Sequence, residues 1–423
     1  MSTKKAMDTH NSVAVIGGGA AGLMAAVWAA RSGADVTVFE KNKFPARKLR
    51  ITGKGRCNVT NDCTPDEMLR EVTKNAKFLY SSVYAFPPED VKSFFESLGV
   101  SLKTERGRRV FPVSDKASDV SDALIKEAEK CNVRFVTSKI TGITAEGGNV
   151  RGVEDFAGFH PFDAVILATG GVSYPLTGST GDGHKMAKAL DIEVTELSPS
   201  LVPICCRDNT AEMMGLTLKN VKFNVTYGKK TVFSELGEML FTHFGVSGPL
   251  VLSASAHLGE HPLQEYSAGI DLKPALDAET LDKRLQSDLK KYAARNIINS
   301  MGDLLPKGLI PSVIRRSGIP EHTKCSAVTK EMRRNLLAIL KNYTLTMTAF
   351  RPIDEAIITR GGISVKEISP STMMSKKYGG LFFAGEIIDA DAYTGGYNLQ
   401  IAWSTGKKAG LSAAEYIGIS QFE

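Results

Sequence analysis

The sequence predicts an α/β fold: a parallel-sheet domain that is discontinuous in the chain, with an inserted β plus helical domain. Three observations predict it. Val13 to Glu40, VAVIGGGAAGLMAAVWAARSGADVTVFE, sets strand, glycine turn, helix, strand and acid within about thirty residues. A fully apolar strand, Ala164 to Ala168, runs into Thr169-Gly170-Gly171. Another, Gly380 to Ala384, ends on Gly385-Glu386, and Gly395-Gly396 then opens a long helix from Tyr397 to about Ile417. Together they describe a Rossmann-like domain.

The apolar run Val13 to Ile16 reads as a parallel strand buried on both faces. Gly17, Gly19 and Gly22 fall in the G-x-G-x-x-G spacing, with Ala20 and Ala21 between the last two. Gly17 makes the tight turn, Gly19 lets the backbone approach a pyrophosphate, and Gly22 lets the helix pack on the strand. That helix points its free N–H groups at the phosphates. The second strand, Asp35 to Phe39, ends on Glu40, whose carboxylate accepts from a ribose 2′-OH and repels a 2′-phosphate. Asn11 to Ala30 carries no charge and is long enough to span a bilayer. Glycines at fixed turn positions argue for the nucleotide turn instead, so no membrane partner is expected. MSTKKAMDTH has no apolar stretch before the first strand, so no signal peptide is expected.

Lys43 to Asn61 reads as a basic, glycine-bearing loop with Arg47, Lys48, Arg50, Lys54 and Arg56. It is either solvated or closed over an anionic cofactor; its place just after Glu40 favours the second. A short helix is expected over Pro88 to Leu98, and another over Asp119 to Cys131, started by Ser118 or Ser114. Val133 to Val136 reads as a strand, followed by a three-stranded excursion around Ile140 to Val153. From Leu201 the texture changes to short alternating stretches up to Asp271, then to helical periodicity from Leu272 to Tyr343, broken at Pro306, Pro311 and Pro320. The expected division is therefore 1–200 and 344–423 for the nucleotide domain, with 201–343 inserted.

The net charge of +6 on 423 residues is mild. It fits an anionic ligand and demands no nucleic acid, so none is expected as a partner. The six cysteines form no C-x-x-C, which speaks against a redox dithiol, and no zinc-ligand set. Free thiols in a reducing cytoplasm are expected. No serine–histidine–acid motif points to hydrolysis.

The C-terminal segment selects the cofactor. A carboxylate at Glu386, returned beside the first glycine turn, suits the ribityl chain of FAD. A helix opening at Gly396 aims its N–H groups at the pyrimidine edge of a flavin, where reduced flavin carries charge. NAD(P)H is the expected electron donor, although no second nucleotide motif is present.

Five segments carry a family resemblance: ITGKGRCNVTN (Ile51 to Asn61), GRRVFPVSDKA (Gly107 to Ala117), ATGGVSYPLTGSTGDGHKMA (Ala168 to Ala187), FTHFGVSGP (Phe241 to Pro249) and Gly361 to Gly406. In these the chain resembles the HI0933-like flavoproteins, which include a bile-acid-inducible reductase and an aminoacetone oxidase. Arg108-Arg109 and Met374 depart from the usual pattern. The resemblance implies non-covalent FAD and an inserted domain covering the flavin. It implies that Gly17 to Gly22 hold the pyrophosphate and Glu40 the adenosine ribose. Lys48, Thr52, Gly53, Gly55, Arg56, Cys57 and Asn58 would lie along the cofactor, with Thr169, Gly170 and Gly171. Backbone near Val136 or Ile140 would bracket the adenine, and Glu386 or Asp389 would take the ribityl hydroxyls. Gly396, Asn398 and Leu399 would sit at the pyrimidine edge.

The expected reaction is NAD(P)H-linked reduction of a C=C bond conjugated to a carbonyl, with a small 3-oxo-Δ4 or Δ4,6 bile-acid or steroid-like substrate. An enone needs a donor at its oxygen and an acid at the α-carbon. His243, Tyr393 and Arg56 are the candidates. Cys57 lies beside Arg56, whose charge lowers a thiol pKa, although a packing role suits it better. The competing readings are an amine oxidase using O2 and a non-catalytic or tRNA-associated flavin-binding protein. The sequence leaves the oligomeric state open.

Overall fold

A computed structural model describes residues 11–418. The chain divides into two units: residues 1–199 with 353–423, and residues 200–352. The expectation of no signal peptide concerns residues 1–10 and lies outside the described residues.

In the first unit five parallel strands form one sheet, in the order Leu381–Phe383, Ala164–Leu167, Ser12–Ile16, Asp35–Glu40 and Arg134–Thr137. Val13 to Ile16 and Ala164 to Leu167 are buried throughout, as expected of parallel strands covered on both faces. The helix after the glycine turn, Ala20–Arg31, packs on the last helix, Tyr397–Tyr416. Glycines make that packing close. A Cβ at Gly406 would stand 2.5 Å from the Ala21 carbonyl oxygen, and one at Gly410 2.3 Å from that of Ala25.

The excursion is a three-stranded antiparallel sheet of Gly142–Glu146, Asn149–Asp155 and Gly158–Pro161. The first short helix runs Pro88–Ser97. Two expectations need correction. The helix expected from Asp119 runs Ala117–Lys130, with Lys116 at its N-cap and no side-chain cap bond. Ser118 lies inside its first turn, and the Ser114 hydroxyl accepts from the Lys116 N–H at 3.3 Å. The basic loop is helical over Arg47–Gly55, anchored by buried Leu49, and kinks where Gly53 and Lys54 adopt left-handed backbone.

The second unit is a seven-stranded antiparallel sheet with helices. Its strand order is Tyr343–Leu345, Tyr266–Asp271, Thr217–Tyr227, Lys230–Thr242, Gly245–Ser247, Ile204–Cys206 and Met347–Phe350. The helices are Pro249–Ser255, Ala278–Lys291, Ile310–Arg316 and Lys330–Lys341, and Pro311 opens the third of them. Leu281, Leu285, Leu336 and Leu340 join the buried faces of Phe223, Val225 and Ile270 in one core. The strands at Tyr343 and Met347 correct the expected return to the nucleotide-domain pattern at that point. Tyr343 to Phe350 alternates apolar residues with threonine, which is strand periodicity. Among the described residues no helix is long and apolar enough to cross a membrane.

Candidate functional site

The glycine turn is built by close backbone contact. Gly17 has φ +104°, its N–H donates to the Phe39 carbonyl at 2.8 Å, and a Cβ there would meet the Ala168 carbonyl oxygen at 2.6 Å. A Cβ at Gly22 would fall 1.9 Å from the Gly17 carbonyl oxygen. Around Gly19 a Cβ would meet nothing within 4 Å. Two glycines therefore serve the fold, and the third faces open space at the start of a helix with no side-chain cap. Such a helix end accepts an anion.

Glu40 braces this turn. Its carboxylate accepts from the Gly18 N–H at 2.9 Å, the Asn42 N–H at 2.8 Å and the Asn42 side-chain amide at 2.7 Å. About one of its four lone-pair sites is left for a ligand hydroxyl.

At the ends of the central strands lies a second polar cluster. Glu386 accepts from Lys48 Nζ at 2.6 Å, from the Ser173 hydroxyl at 3.0 Å and from the Thr359 N–H at 2.9 Å. Lys48 also donates to the Ser173 hydroxyl at 2.7 Å. The Thr169-Gly170-Gly171 turn lies against it, since a Cβ at Gly171 would stand 2.9 Å from Glu386 Oε1. The helix carrying Lys48 is thus tied to the strand end carrying Glu386, 338 residues away in sequence.

Besides the Trp28 indole nitrogen, five buried side-chain atoms of the first unit lack a hydrogen-bond partner: Asn58 Oδ1, Asn61 Oδ1, Thr169 Oγ1, His184 Nδ1 and Asp389 Oδ1. His184 Nε2 donates to the Ile387 carbonyl at 3.3 Å, which leaves Nδ1 as an acceptor. Burial pushes its pKa down, so the ring stays neutral. Four of the five atoms are therefore pure acceptors. Buried groups of this kind carry a cost of about 1–3 kcal/mol each unless a donor reaches them. A ribityl chain and an imide N–H bring donors, so these residues fit FAD.

Other expected site residues take different parts. Arg56 is committed: its guanidinium binds Asp115 through Nε at 2.8 Å, pairs with Glu105, and lies 4.2 Å over the Phe111 ring. Those carboxylates hold its pKa up, which corrects its candidacy as a proton donor. Cys57 is buried, and burial pushes its thiol up to about 12, against the lowering expected from Arg56. The Thr52 hydroxyl donates to the Leu49 carbonyl at 2.7 Å, and Gly53 and Gly55 both have positive φ.

Ile140 is a core side chain, 3% exposed, whereas Val136 is exposed on the edge strand beside Phe39. Asn398 closes the turn before the last helix. Its side chain donates to the Ala392 and Tyr393 carbonyls at 2.7 and 3.2 Å and accepts from the Ala392 N–H at 2.9 Å. These bonds occupy its side chain and fix the turn from which the helix starts. Leu399 packs on the core, and Gly396, φ +100°, lies where a Cβ would strike Thr60 at 2.4 Å. Tyr393 follows directly on the strand Asp391–Ala392, its N–H donating to the Glu71 carbonyl. His243 belongs to the second unit, in the turn between Lys230–Thr242 and Gly245–Ser247, with its ring 5.0 Å from that of Phe244.

Sequence reasoning missed Asn61, Ser173, His184 and Thr359. Asn61 donates to the Gly107 and Gly395 carbonyls at 3.0 and 3.2 Å, linking the RCNVTN segment to the turn before the last helix. His184 carried a readable signal: it shares a helix face with Ala187, three residues on, and both are buried.

The model of the HI0933-like protein Rossmann domain matches residues 11–412. A 3-dehydro-bile acid Δ(4,6)-reductase of Clostridium scindens is 31% identical over 96% of this chain and 99% of its own length. A ribosomal RNA dihydrouridine synthase of Escherichia coli is 30% identical over 92% of this chain and 95% of its own. The second name leaves open the expectation that no nucleic acid is involved. Among solved structures, a 3-ketosteroid-Δ4-(5α)-dehydrogenase from Rhodococcus jostii covers 98% of this chain and 99% of its own at TM-score 0.52 and 16% identity, a likeness of fold.

Proposed function

The chain belongs to the HI0933-like family and is an FAD-dependent oxidoreductase; from that premise we propose that it reduces a C=C bond conjugated to a carbonyl. Bound FAD supplies the two-electron centre, and NAD(P)H is the proposed electron source. The first substrate reading is a 3-oxo-Δ4 or Δ4,6 bile-acid or steroid-like molecule, supported by the full-length relationship to the C. scindens reductase.

The chain's own residues have defined parts in this reading. Gly19 and the helix start behind it hold the pyrophosphate. Glu40 offers its remaining lone pair to the adenosine ribose. Asp389 Oδ1 and the Asn58 and Asn61 oxygens accept from cofactor hydroxyls and N–H groups. Lys48 and Ser173 hold Glu386 in place. Tyr393 is the proposed proton donor, since Arg56 is held by its two carboxylates.

The buried acceptors without donors carry the reading. A second reading rests on the dihydrouridine synthase relatives: a uracil C5=C6 bond is also conjugated to a carbonyl, so one chemistry serves both substrates. The test is anaerobic. NADH or NADPH should bleach the bound flavin, and a 3-oxo-Δ4,6 steroid or a uridine-containing RNA should restore its colour. If an amine bleaches the flavin and neither pyridine nucleotide does, the reductase reading fails in favour of an amine oxidase.

A further inference from the structure

The net charge of the chain is not shared between the units. Residues 200–352 hold 20 Lys and Arg against 14 Asp and Glu, while the remainder holds 32 of each, so the whole +6 falls in the second unit. Within that unit the excess gathers on the helical layer. Lys290, Arg295, Lys324, Lys330 and Arg334 are all exposed, and none has an acidic partner at ion-pair distance among the described residues.

Backbone pairing brings them onto neighbouring segments. Asn296 bridges Lys324 antiparallel, the Cys325 N–H donates to the Arg295 carbonyl at 2.9 Å, and the Ser326 N–H donates to the Ala293 carbonyl at 3.1 Å. Arg333, on the same helix as Lys330 and Arg334, pairs with Asp282 on Ala278–Lys291 at 2.8 Å. The Tyr292 ring lies 4.7 Å from Lys291 Nζ and 4.8 Å from Arg295 Cζ.

Helix electrostatics explains part of this. Lys290 and Lys291 close a helix at its negative end, where cations are favoured. Lys330 is the opposite case. It is the first residue after the N-cap Thr329, at the positive end, where a cation costs stability. Lys324 lies in no α-helix.

We infer that this face, Lys290 to Arg295 with Lys324, Lys330 and Arg334, binds the phosphate backbone of RNA. Basic side chains displace counterions from phosphates, and the Tyr292 ring offers a flat surface beside them. RNA is the polyanion chosen because a uracil base is one of the two substrates the reduction chemistry accepts. The inference rests on that reading for the purpose of binding, and on charge and geometry for its place.

The experiment uses the FAD-loaded protein and a fluorescein-labelled oligouridylate of about 20 nucleotides, followed by anisotropy across a salt series. Wild type is expected to bind with a clear salt dependence. Lys290→Glu/Arg295→Glu/Lys324→Glu is expected to bind at least about tenfold more weakly and to lose about 2 from the log–log salt slope, about 0.7 per phosphate contact. Lys330→Glu/Arg334→Glu is a second, independent reversal expected to act in the same direction. Flavin content, circular dichroism and reduction of a free steroid enone should stay at wild-type values in both. Binding that is absent in wild type or unchanged in both variants overturns the proposal, as does a preference for phosphatidylglycerol vesicles over the RNA. Failure of both the steroid enone and a uridine-containing RNA to reoxidise the reduced flavin in wild type, with RNA binding intact, would instead count against the reductase reading.

Discussion

In the first unit the buried acceptors without partners are two amide oxygens, an imidazole nitrogen and a carboxylate oxygen. In the second, among the described residues, the unpartnered buried atoms are the hydroxyls of Thr210 and Thr242. The first unit is neutral by formal charge and the second carries the entire excess. One region is organised around an interior that something else must complete. The other completes its own interior and presents charge outward.

The largest effect that can break this contrast belongs to the second unit. Phe223 is fully buried in its core, and Phe223→Ala should cost about 3–5 kcal/mol by thermal unfolding. The bound flavin should keep its spectrum at temperatures where the variant stays folded; loss of flavin there would make the two regions one. Next is Gly22→Ala. Its Cβ would press on the Gly17 carbonyl, so overpacking of about 3 kcal/mol is expected, read as lowered Tm and a colourless protein.

Gly19→Ala sharpens the point, because its Cβ enters open space. The flavin-free protein should unfold at the wild-type temperature while FAD affinity falls about tenfold, or about 1.4 kcal/mol. An unchanged affinity would remove the pyrophosphate from this turn. Asn398→Ala loses three hydrogen bonds of the turn and should cost about 1–3 kcal/mol of stability by denaturant titration.

The smallest effect concerns acid. Asp155 is held at about 2 by the Ser138 hydroxyl and then by His160, below its ordinary 3.8. A depressed carboxyl stabilises the fold above its unfolded value and loses that contribution as pH falls through about 4 to about 2. Ser138→Ala should flatten the pH dependence of Tm within that window and leave it unchanged at neutral pH.

Much of the first unit was legible. Strand, glycine turn, helix, strand and acid follow one another locally, and local order is what a sequence displays. The role of Glu40 was only half visible. Nothing in the strand reveals that both its oxygens brace backbone at Gly18 and Asn42, because those bonds depend on how the turn folds back. The employment of the Asn398 side chain is hidden for the same reason: Ala392 and Tyr393 meet it only once the turn folds. The pairing of Arg56 with Glu105 and Asp115 is hidden in the sequence because they lie 49 and 59 residues on. In the second unit the strand pattern from Tyr343 to Phe350 was readable and was passed over as a boundary. Thr359 gains its meaning from a contact across 187 residues, which no window of sequence contains.

The contact of Gly406 and Gly410 with the first helix also sets an order in time. The strand and glycine turn at Ser12–Gly22 leave the ribosome before the sheet edge Leu381–Phe383 and the helix that seats against Ala21 and Ala25. A nascent chain therefore carries a nucleotide turn with no wall behind it while the intervening residues are translated. A chain truncated before residue 380 would be expected to reach chaperones or proteases with its phosphate site unbuilt.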